Sequence, residues 1–316
     1  MTSSQELIGK KVSSWYKSNG RKELPWRINP SPYKVWISEL ILQQTQVATG
    51  LRYFKSFLSA YPNLNALKHA SENDILKLWK GLGYYRRASY IFKAKEMIFT
   101  DFNGVFPDNF QDLLKLPGVG KSTAGAIMSL AYNLPYPILD GNVKRVISRL
   151  FHIDKFNENE FWEFSELMLD KNDPFSFQQG IMDIGATICT KASPLCFKCP
   201  LQDECISFHK NSFPSLAKKQ TVKKELFINF KLITDNKRIV LIKNEELGFW
   251  KDLWIFPYEV VHKNETEYIH NLSHRKLNIQ FLPSADFKNF SSFTYEEALN
   301  LTTPKPISDK LIKICL

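Results

Sequence analysis

The spacing of hydrophobic and polar positions changes once along this chain, near residue 212. Before that point apolar residues recur at helical intervals, and turn-rich segments such as NPSPY, LGYY, VFPDN and LPGVG separate the amphipathic stretches. After it, FINFKLI and RIVLIK flank the polar turn TDNK, a pattern typical of a β-hairpin, and LWIFPYEVV predicts another strand. The sequence therefore predicts a mainly helical domain followed by a smaller α+β domain.

The boundary between the two patterns is a polar, lysine-rich stretch. Residues 212–225, SFPSLAKKQTVKKE, contain few apolar positions and are typical of a linker. We therefore expect a helical domain over residues 1–211, the linker over 212–225, and a C-terminal domain over 226–316. The chain contains no internal repeat and no low-complexity tract.

Composition and charge narrow the class of protein. The 316 residues are 44% hydrophobic and 23% charged, as in ordinary globular proteins. The N-terminus lacks the apolar core of a signal peptide, and no apolar run reaches the length of a membrane span, so we expect a soluble, cytoplasmic protein. We also expect a monomer. The net charge of +10 suits a polyanionic partner. A lysine-rich composition explains that charge equally well, because the excess is spread along the chain.

Four cysteines lie close together in the segment ICTKASPLCFKCPLQDEC. They are Cys189, Cys196, Cys199 and Cys205, with the spacing C-x6-C-x2-C-x5-C. Four thiolates this close can converge on one metal centre, and such sets bind either an iron–sulfur cluster or zinc. Disulfides are disfavoured because the sequence has no export signal. The spacing alone does not separate iron–sulfur from zinc. Cys315 stands apart and is interpreted as a small hydrophobic residue.

The segment LPGVGKSTAG, residues 116–125, has two competing interpretations. A P-loop needs a glycine where Lys115 stands and a strand before it, but the preceding NFQDLLKL has a helical pattern. The segment therefore favours a helix–hairpin–helix over about residues 109–132. Gly118 and Gly120 would permit the tight turn, and the amides at the start of the second helix would meet a DNA phosphate. The alternative is a glycine-rich connection without a ligand.

Two carboxylates stand out by their surroundings. Glu39 interrupts the apolar helical run VWISELILQQTQV, where a charge is costly to bury without a partner. Asp140, in PILDGNVKRVISRL, directly precedes a predicted helix, where aspartate commonly serves as the N-cap. For Asp140 alone, this structural interpretation is the better one.

The order of these features resembles the helix–hairpin–helix DNA glycosylases, and most closely the adenine DNA glycosylases of MutY type. The resemblance runs through residues 1–207 and is carried by LPWR (24–27), SPYKVWISELILQQTQVATG (31–50), WKGLGYYRRA (79–88), LPGVGKSTAGAI (116–127), PILDGNVKRV (137–146), MDIGATIC (182–189) and the cysteines. It implies a 4Fe-4S cluster in the loop 189–205, with zinc as the alternative. It also implies base excision repair at a bacterial nucleoid, on duplex DNA with adenine opposite 8-oxoguanine or guanine.

The resemblance also assigns chemical roles. Glu39 matches the general acid, and its apolar neighbours should raise its pKa so that it can protonate adenine at N7. Asp140 matches the aspartate that stabilises the cationic sugar, and it should stay ionised at a helix N-terminus. Asn142 is expected to orient Asp140 or a water molecule.

One position separates glycosylases from glycosylase–lyases. Members with lyase activity carry a Schiff-base lysine two residues after the second hairpin glycine, where this chain has Ser122. The neighbouring Lys121 would point about 100° away on a helix. We therefore expect a monofunctional enzyme with little or no lyase activity. Lys144 is interpreted as a phosphate contact.

Further positions match DNA-contacting and base-pocket residues. The predicted DNA contacts are Gln44 and Tyr84, which would fill or wedge the base stack, with Gly118, Gly120, Ser122 and Lys144. Around the extruded adenine, the matching residues are Trp26, Arg27, Leu42 and Gln179.

The C-terminal domain resembles the family's Nudix-like, lesion-reading domain at GFWKDLWIFP (248–257). The Nudix R-E-x-x-E-E cluster is absent, so no pyrophosphatase activity is expected. The family's histidine after Phe-Ser is replaced by Ser292 in KNFSSF (288–293), and the domain is short.

Three other functions are compatible with parts of the sequence. A bifunctional pyrimidine-lesion glycosylase is disfavoured by Ser122 and the extra domain, and a non-catalytic iron–sulfur DNA-binding protein by the presence of Glu39 and Asp140. A zinc-finger DNA-binding module would be colourless when purified.

Overall fold

The computed structural model describes residues 3–216, 222–235, 237–285 and 290–315. Contacts divide the chain into two compact units, Met1–Ala70 with Tyr90–Lys218, and Ser71–Ser89 with Lys219–Leu316. The sequence prediction had assigned residues 71–89 to the helical domain, whereas the contacts group them with the C-terminal unit. Residues 217–221 of the predicted linker lie outside the described residues, as do residues 288 and 289 of KNFSSF.

The helices predicted for the first two thirds of the chain are confirmed. They are α1 Ser3–Asn19, α2 Pro32–Leu42, α3 Val47–Ala60, α4 Leu64–Leu67, α5 Glu72–Leu78, α6 Arg86–Asp101, α7 Phe110–Lys115, α8 Lys121–Leu130, α9 Gly141–Leu150, α10 Glu158–Leu167, α11 Pro174–Asp183 and α12 Ile206–His209. A π-helical turn, Ile184–Ile188, continues α11, and a 3-10 turn, Cys196–Lys198, lies among the cysteines. No described helix is long and apolar enough to cross a membrane.

Helix α2 carries Glu39 into the interior of the first unit. The Ser31 hydroxyl caps the helix by accepting a hydrogen bond from the Lys34 amide, and Pro32 occupies the first turn, where its missing N–H costs nothing. Trp36 and Leu40 are fully buried, and most of the helix circumference is apolar. A helix that is apolar nearly all round is held by burial on several sides. Its single carboxylate is therefore largely surrounded by protein, with partial access to solvent.

A second core of the first unit packs α9 and α11 together. It includes Val143, Ile147, Phe177 and Ile181, all at most 1% exposed. Helix α9 begins beside Asp140, and α11 leads through the π turn to Cys189. This shared core therefore holds the predicted catalytic aspartate and the first predicted cysteine ligand in fixed positions relative to each other.

Besides α5 and the start of α6, the described part of the second unit contains the strands and two C-terminal helices. The strands are β1 Lys224–Leu232, β2 Arg238–Val240, β3 Ile242–Lys243, β4 Trp254–Ile255, β5 Tyr258–Val261, β6 Tyr268–Asn271, β7 Arg275–Pro283 and β8 Ser292–Thr294, and the helices are α13 Tyr295–Asn300 and α14 Lys305–Cys315. The main sheet has the order β5-β1-β7-β6, with β1 parallel to β7 and the other pairs antiparallel. Two shorter pairs join β2 with β8 and β3 with β4.

Two details of the predicted strands were wrong. The halves of the predicted hairpin meet beside their turn, at the Thr234–Ile239 bridge, but β1 pairs with β5 and β7 while β2 pairs with β8. The run LWIFPYEVV forms two strands, β4 and β5, separated by Phe256 and Pro257. Proline cannot donate to a sheet ladder, which explains the interruption. The strand partners depend on the buried core formed by residues such as Ile228 and Ile279, not on local spacing.

Candidate active site and cysteine pocket

Glu39 lies near the end of α2 and keeps partial solvent access. Burial of its carboxyl group raises its pKa from 4.5 to about 8, and the negative charge of Asp140 contributes a smaller increase in the same direction. Desolvation disfavours a carboxylate, and a second negative charge nearby disfavours it further. Glu39 therefore holds a proton at neutral pH, and the structure brings it within electrostatic reach of Asp140.

Asp140 is the N-cap of α9. One carboxylate oxygen accepts hydrogen bonds from the amides of Asn142 (2.9 Å) and Val143 (2.7 Å), and the other accepts one from Asn142 Nδ2 (3.2 Å). Burial raises the pKa of Asp140, while these three hydrogen bonds oppose the increase. The donors and the positive end of the helix favour its ionised form. The two carboxyl groups thus have different environments within one site.

Asn142 connects Asp140 to Arg145, an arginine that is not among the site residues predicted from the sequence. The Arg145 guanidinium donates to Asn142 Oδ1 (2.8 Å), to the Cys189 carbonyl (2.7 Å) and to the Gly185 carbonyl. A continuous set of hydrogen bonds therefore runs from Asp140 through Asn142 and Arg145 to the first cysteine. The spacing in the sequence could have indicated this contact, because Arg145 lies three residues after Asn142 and therefore on the same face of the helix.

Close packing fixes this connection. A Cβ atom on Gly185 would lie 2.6 Å from the Asn142 Cβ atom, closer than real side-chain atoms approach. Gly185 belongs to the π turn between α11 and Cys189, and such turns often occur at functional sites. Glycine at this position lets the helix that carries Asp140 lie directly against the segment that leads to the cysteines.

The four predicted cysteine ligands line one pocket. Its other lining residues are Arg149, Ile188, Pro194, Gln202, Phe208 and Phe213. Arg149 donates to the Thr190 carbonyl (2.7 Å) and the Lys191 carbonyl (2.9 Å), and it lies 3.4 Å from Cys189 Sγ. Burial raises the pKa of the Cys199 thiol to about 12. Among the described residues, no three Cys, His, Asp or Glu side chains are arranged to hold a single metal ion.

The helical hairpin has the geometry expected from its glycines. Helices α7 and α8 flank a turn in which Gly118 adopts φ +81°, and a Cβ atom there would lie 2.7 Å from Tyr90. Only glycine meets both requirements. Gly120 is the N-cap of α8, with an extended backbone. The Ser122 hydroxyl accepts a hydrogen bond from the Leu139 amide (3.2 Å), so the hairpin fixes the residue just before Asp140.

Two of the predicted DNA-contacting side chains, Gln44 and Tyr84, lie in exposed positions, whereas those of Ser122 and Lys144 are half-buried. Gln44 and Tyr84 are exposed and have left-handed backbones, with φ +56° and +51°. Such conformations are costly for non-glycine residues and cluster at functional sites. The Lys144 ammonium lies 4.4 Å from the centre of the Phe156 ring, which is 46% exposed.

The predicted base-pocket residues differ in how deeply they are buried and in what they contact. Trp26 is buried against Phe54, with ring centres 5.4 Å apart, and Gln179 is also buried, while Leu42 is half-buried. The Arg27 guanidinium forms two hydrogen bonds with the buried Asp183 carboxylate, at 2.7 and 2.8 Å. Asp183 was not selected from the sequence, because its partners lie more than 150 residues away along the chain.

Known proteins resemble this chain over most of its length. Residues 37–166 match the HhH-GPD superfamily of base excision DNA repair proteins. An adenine DNA glycosylase of Buchnera aphidicola from Acyrthosiphon pisum is 41% identical over 91% of this chain and 84% of the relative, and one from Schizaphis graminum is 38% identical over 96% and 97%. The solved structure of a thermostable thymine-DNA glycosylase matches with a TM-score of 0.60 and 28% identity, over 65% of this chain and 97% of that one. With relatives this similar along nearly their whole length, the chain belongs to the adenine DNA glycosylase family of the HhH-GPD base excision repair proteins.

Proposed function

We propose that this protein hydrolyses the N-glycosidic bond of adenine opposite 8-oxoguanine or guanine in duplex DNA, and that it does so without cleaving the strand. The observation that carries the proposal is Glu39, a carboxyl group with a pKa of about 8 beside the charge of Asp140. A proton donor near neutral pH is what the departure of a purine requires. The names of the relatives in the same family support adenine as the base.

The two carboxyl groups divide the chemistry. Glu39 gives its proton to N7 of the extruded adenine, and the bond between the base and C1′ breaks with its electrons going to the base. The sugar is left with a positive charge, which the negative charge of Asp140 stabilises. Glu39 is neutral before the transfer and negative after it, so the negative charge near the sugar grows as the cation forms. Water then adds to C1′ and gives a proton to the Glu39 carboxylate, which restores the acid.

Ser122 supports hydrolysis without lyase chemistry. A lyase needs an amine that attacks C1′, and the hydroxyl at this position instead accepts a hydrogen bond from the Leu139 amide. The adjacent Lys121 ammonium lies 4.1 Å from the centre of the Trp162 ring, a cation–π contact. The ammonium group of this exposed lysine is thereby engaged by Trp162.

Single-turnover adenine release from duplexes with adenine opposite 8-oxoguanine or guanine tests the proposal. We expect release from both, with strand breaks only after alkali treatment. Strand breaks before alkali would contradict the monofunctional assignment, and no release from either duplex would contradict the adenine assignment.

The same assay separates lesion reading from base removal. We propose that the second unit reads 8-oxoguanine through its Nudix-like surface, near the exposed Phe290 and Ser291. Ser292 stands where the family has histidine, and Arg238 donates to its hydroxyl at 3.0 Å, so an arginine rather than an imidazole is presented beside it. Faster release opposite 8-oxoguanine than opposite guanine supports lesion reading, whereas equal rates contradict it.

The pH dependence of release follows from the raised pKa of Glu39. Below about pH 8 the carboxyl group is protonated and can act as the acid, and above it the proton is lost. We therefore expect the single-turnover rate to decrease as pH rises through about 8, approaching a tenfold decrease per pH unit at higher pH. Rates measured between pH 6 and 10 check this. An alkaline limb near pH 4.5, the ordinary value for glutamate, would contradict it.

We propose that the cysteine pocket holds a 4Fe-4S cluster. The fit rests on four thiols that line one pocket, because four cysteine thiolates are the usual ligand set of such a cluster. When bound, the cluster would cross-link the loop. Cys189, Cys196, Cys199 and Cys205 would be its ligands, and Arg149 would hold the loop backbone beside them.

Colour and iron content test the cluster. We expect the purified protein to be brown, with visible absorption and four irons per chain. Cys199→Ser should lose the absorption, whereas Cys315→Ser, the matched control outside the pocket, should keep it. A colourless protein that contains zinc would contradict the assignment.

A further inference from the structure

We propose that the C-terminal unit positions Tyr84 for its contact with DNA by holding the loop that carries it. Lys80 and Tyr85 are the positioning residues, and they contact the carbonyls of Leu299 and Thr303. This inference rests on the proposed function together with the predicted role of Tyr84, whose side chain would fill or wedge the base stack. It extends that function, because it makes the lesion-reading unit part of the mechanism that opens the duplex.

The Tyr84 segment groups with the C-terminal unit although it lies far from it in sequence. Residues Ser71–Ser89 and Lys219–Leu316 form one compact unit. Within it, the Lys80 ammonium donates to the Leu299 carbonyl at 2.7 Å. The Tyr85 hydroxyl accepts from the Gly81 amide at 3.2 Å and lies 3.4 Å from the Thr303 carbonyl, to which it donates. Two side chains that flank Tyr84 thus attach its loop to one short segment.

The hydrogen bond from Lys80 to the Leu299 carbonyl is strong because its donor is charged and its acceptor has no partner within the helix. Leu299 belongs to the last turn of α13, where carbonyl groups have no partner within the helix. A cation at this end also interacts favourably with the helix dipole. Lys80 is half-buried, and burial lowers its pKa, so part of its contact with water has been replaced by this carbonyl. A hydrogen bond from a charged donor is stronger than one between neutral groups.

The segment that Tyr85 contacts, which contains Thr302 and Thr303, is itself held in place within the second unit. Thr302 and Thr303 are each 2% exposed, and the Trp254 amide, at the start of β4, donates to the Thr302 carbonyl at 3.1 Å. The segment that receives Tyr85 is therefore tied to the sheet. A displacement of this part of the unit would be transmitted to the loop rather than absorbed by a mobile segment.

The loop itself needs external support. Gly81, Gly83 and Tyr84 all have left-handed backbones, with φ +88°, +79° and +51°. A non-glycine residue in this conformation persists only when its surroundings hold it there. The Gly83 carbonyl accepts from Arg87 (3.0 Å) and from the Trp79 indole (3.2 Å), which supports the loop from within. The contacts of Lys80 and Tyr85 add a second support from the C-terminal side.

The Tyr84 ring is in a position to respond to that support. It is 48% exposed, and the Arg87 guanidinium lies 5.6 Å from the centre of the ring, so the exposed part of the ring is what a base can contact. An aromatic ring that enters a base stack contributes only if its backbone is already placed, because ordering it on binding would cost affinity. Contact of the C-terminal unit with the damaged strand and insertion of Tyr84 are then movements of one body.

Hydrogen exchange in the full-length protein tests the tether directly. The variants are Lys80→Met, which keeps the apolar stem, and Tyr85→Phe, which keeps the ring. The matched controls are Lys77→Met, an exposed lysine of α5, and Tyr132→Phe, whose hydroxyl donates to the Pro107 carbonyl at 3.2 Å in the other unit. We expect faster exchange at residues 81–84 in the two test variants and wild-type exchange there in the controls. Unchanged exchange in both test variants would overturn the proposal.

A double-mutant comparison tests the link to Tyr84. A duplex with 2-aminopurine beside the mispair reports unstacking, and adenine release reports the reaction. Lys80→Met should reduce both signals, with release about tenfold slower, the effect of one lost charged hydrogen bond. In the Tyr84→Ala background it should cause no further loss. Losses that multiply would overturn the proposal, and so would an unaffected Tyr84→Ala variant. If the wild-type protein unstacks the duplex but releases no adenine, the proposed function fails while the 2-aminopurine comparison still decides the tether.

Discussion

Glu39→Gln should slow adenine release by a factor of about 10² to 10⁴ while leaving duplex binding intact, because that range is what a positioned general acid contributes. Glutamine has the shape of protonated glutamic acid and cannot supply the proton. Single-turnover release at saturating protein, together with binding to an uncleavable duplex, measures the two effects separately. Glu158→Gln, an exposed glutamate at the start of α10, serves as the matched control and should behave as the wild type. A variant that keeps at least half of the wild-type rate would exclude Glu39 as the acid.

The same variant distinguishes catalysis from folding. The folded-state pKa of Glu39 is about 8, above its ordinary value of 4.5, so the unfolded chain loses this proton first as pH rises. The wild-type protein therefore loses stability between about pH 4.5 and 8, and the loss stops once the folded form is also ionised. Glutamine has no such ionisation, so the variant should be more stable than the wild type at pH 8 and above. Less activity with more stability is expected of a site strained for function.

The sequence predicted what local chemistry controls. Asp140 was predicted to cap a helix, Gly118 to permit a tight turn, and Glu39 to have a raised pKa, and the structure confirms each of these. A cap, a turn and a carboxyl group among apolar neighbours are all determined within a few residues. For the same reason the helical pattern of the first two thirds of the chain was predicted correctly.

Contacts between residues far apart along the chain could not be predicted from the sequence. The pairing of β1 with β7 places residues about fifty positions apart in register, and the predicted hairpin partner lies elsewhere. The attachment of Lys80 to Leu299 spans more than 200 residues. Neither leaves a periodic signal, because such contacts are selected by total burial and packing rather than by local preference. The ion pair of Arg27 could not be predicted from the sequence for the same reason, because its partner Asp183 follows it by 156 residues.

Asp183 is expected to be the most costly single polar residue to replace in the first unit. Its carboxylate is 1% exposed and accepts five hydrogen bonds, three from Arg21 and two from Arg27. The hydrogen bonds and charges of the two arginines lower its pKa although burial opposes them, so the ionised form contributes stability above about pH 4 that is lost at lower pH. Asp183→Asn leaves the Arg27 side chain, 4% exposed, without a counter-charge. We expect a loss of about 3–5 kcal/mol in the free energy of unfolding, measured by denaturant titration.

Two further variants decide what Arg27 does. Arg27→Met leaves Asp183 paired with Arg21, so its loss of stability should be smaller than that of Asp183→Asn, whereas Lys115→Met, which removes an exposed ion pair with Asp112, should unfold like the wild type. If Arg27 instead acted on the extruded adenine, its replacement would slow release without lowering stability. Because both of its terminal nitrogens are engaged by Asp183, we expect the opposite result. On that result, Arg27 acts by fixing the end of α11, from which the π turn leads through Gly185 to the first cysteine.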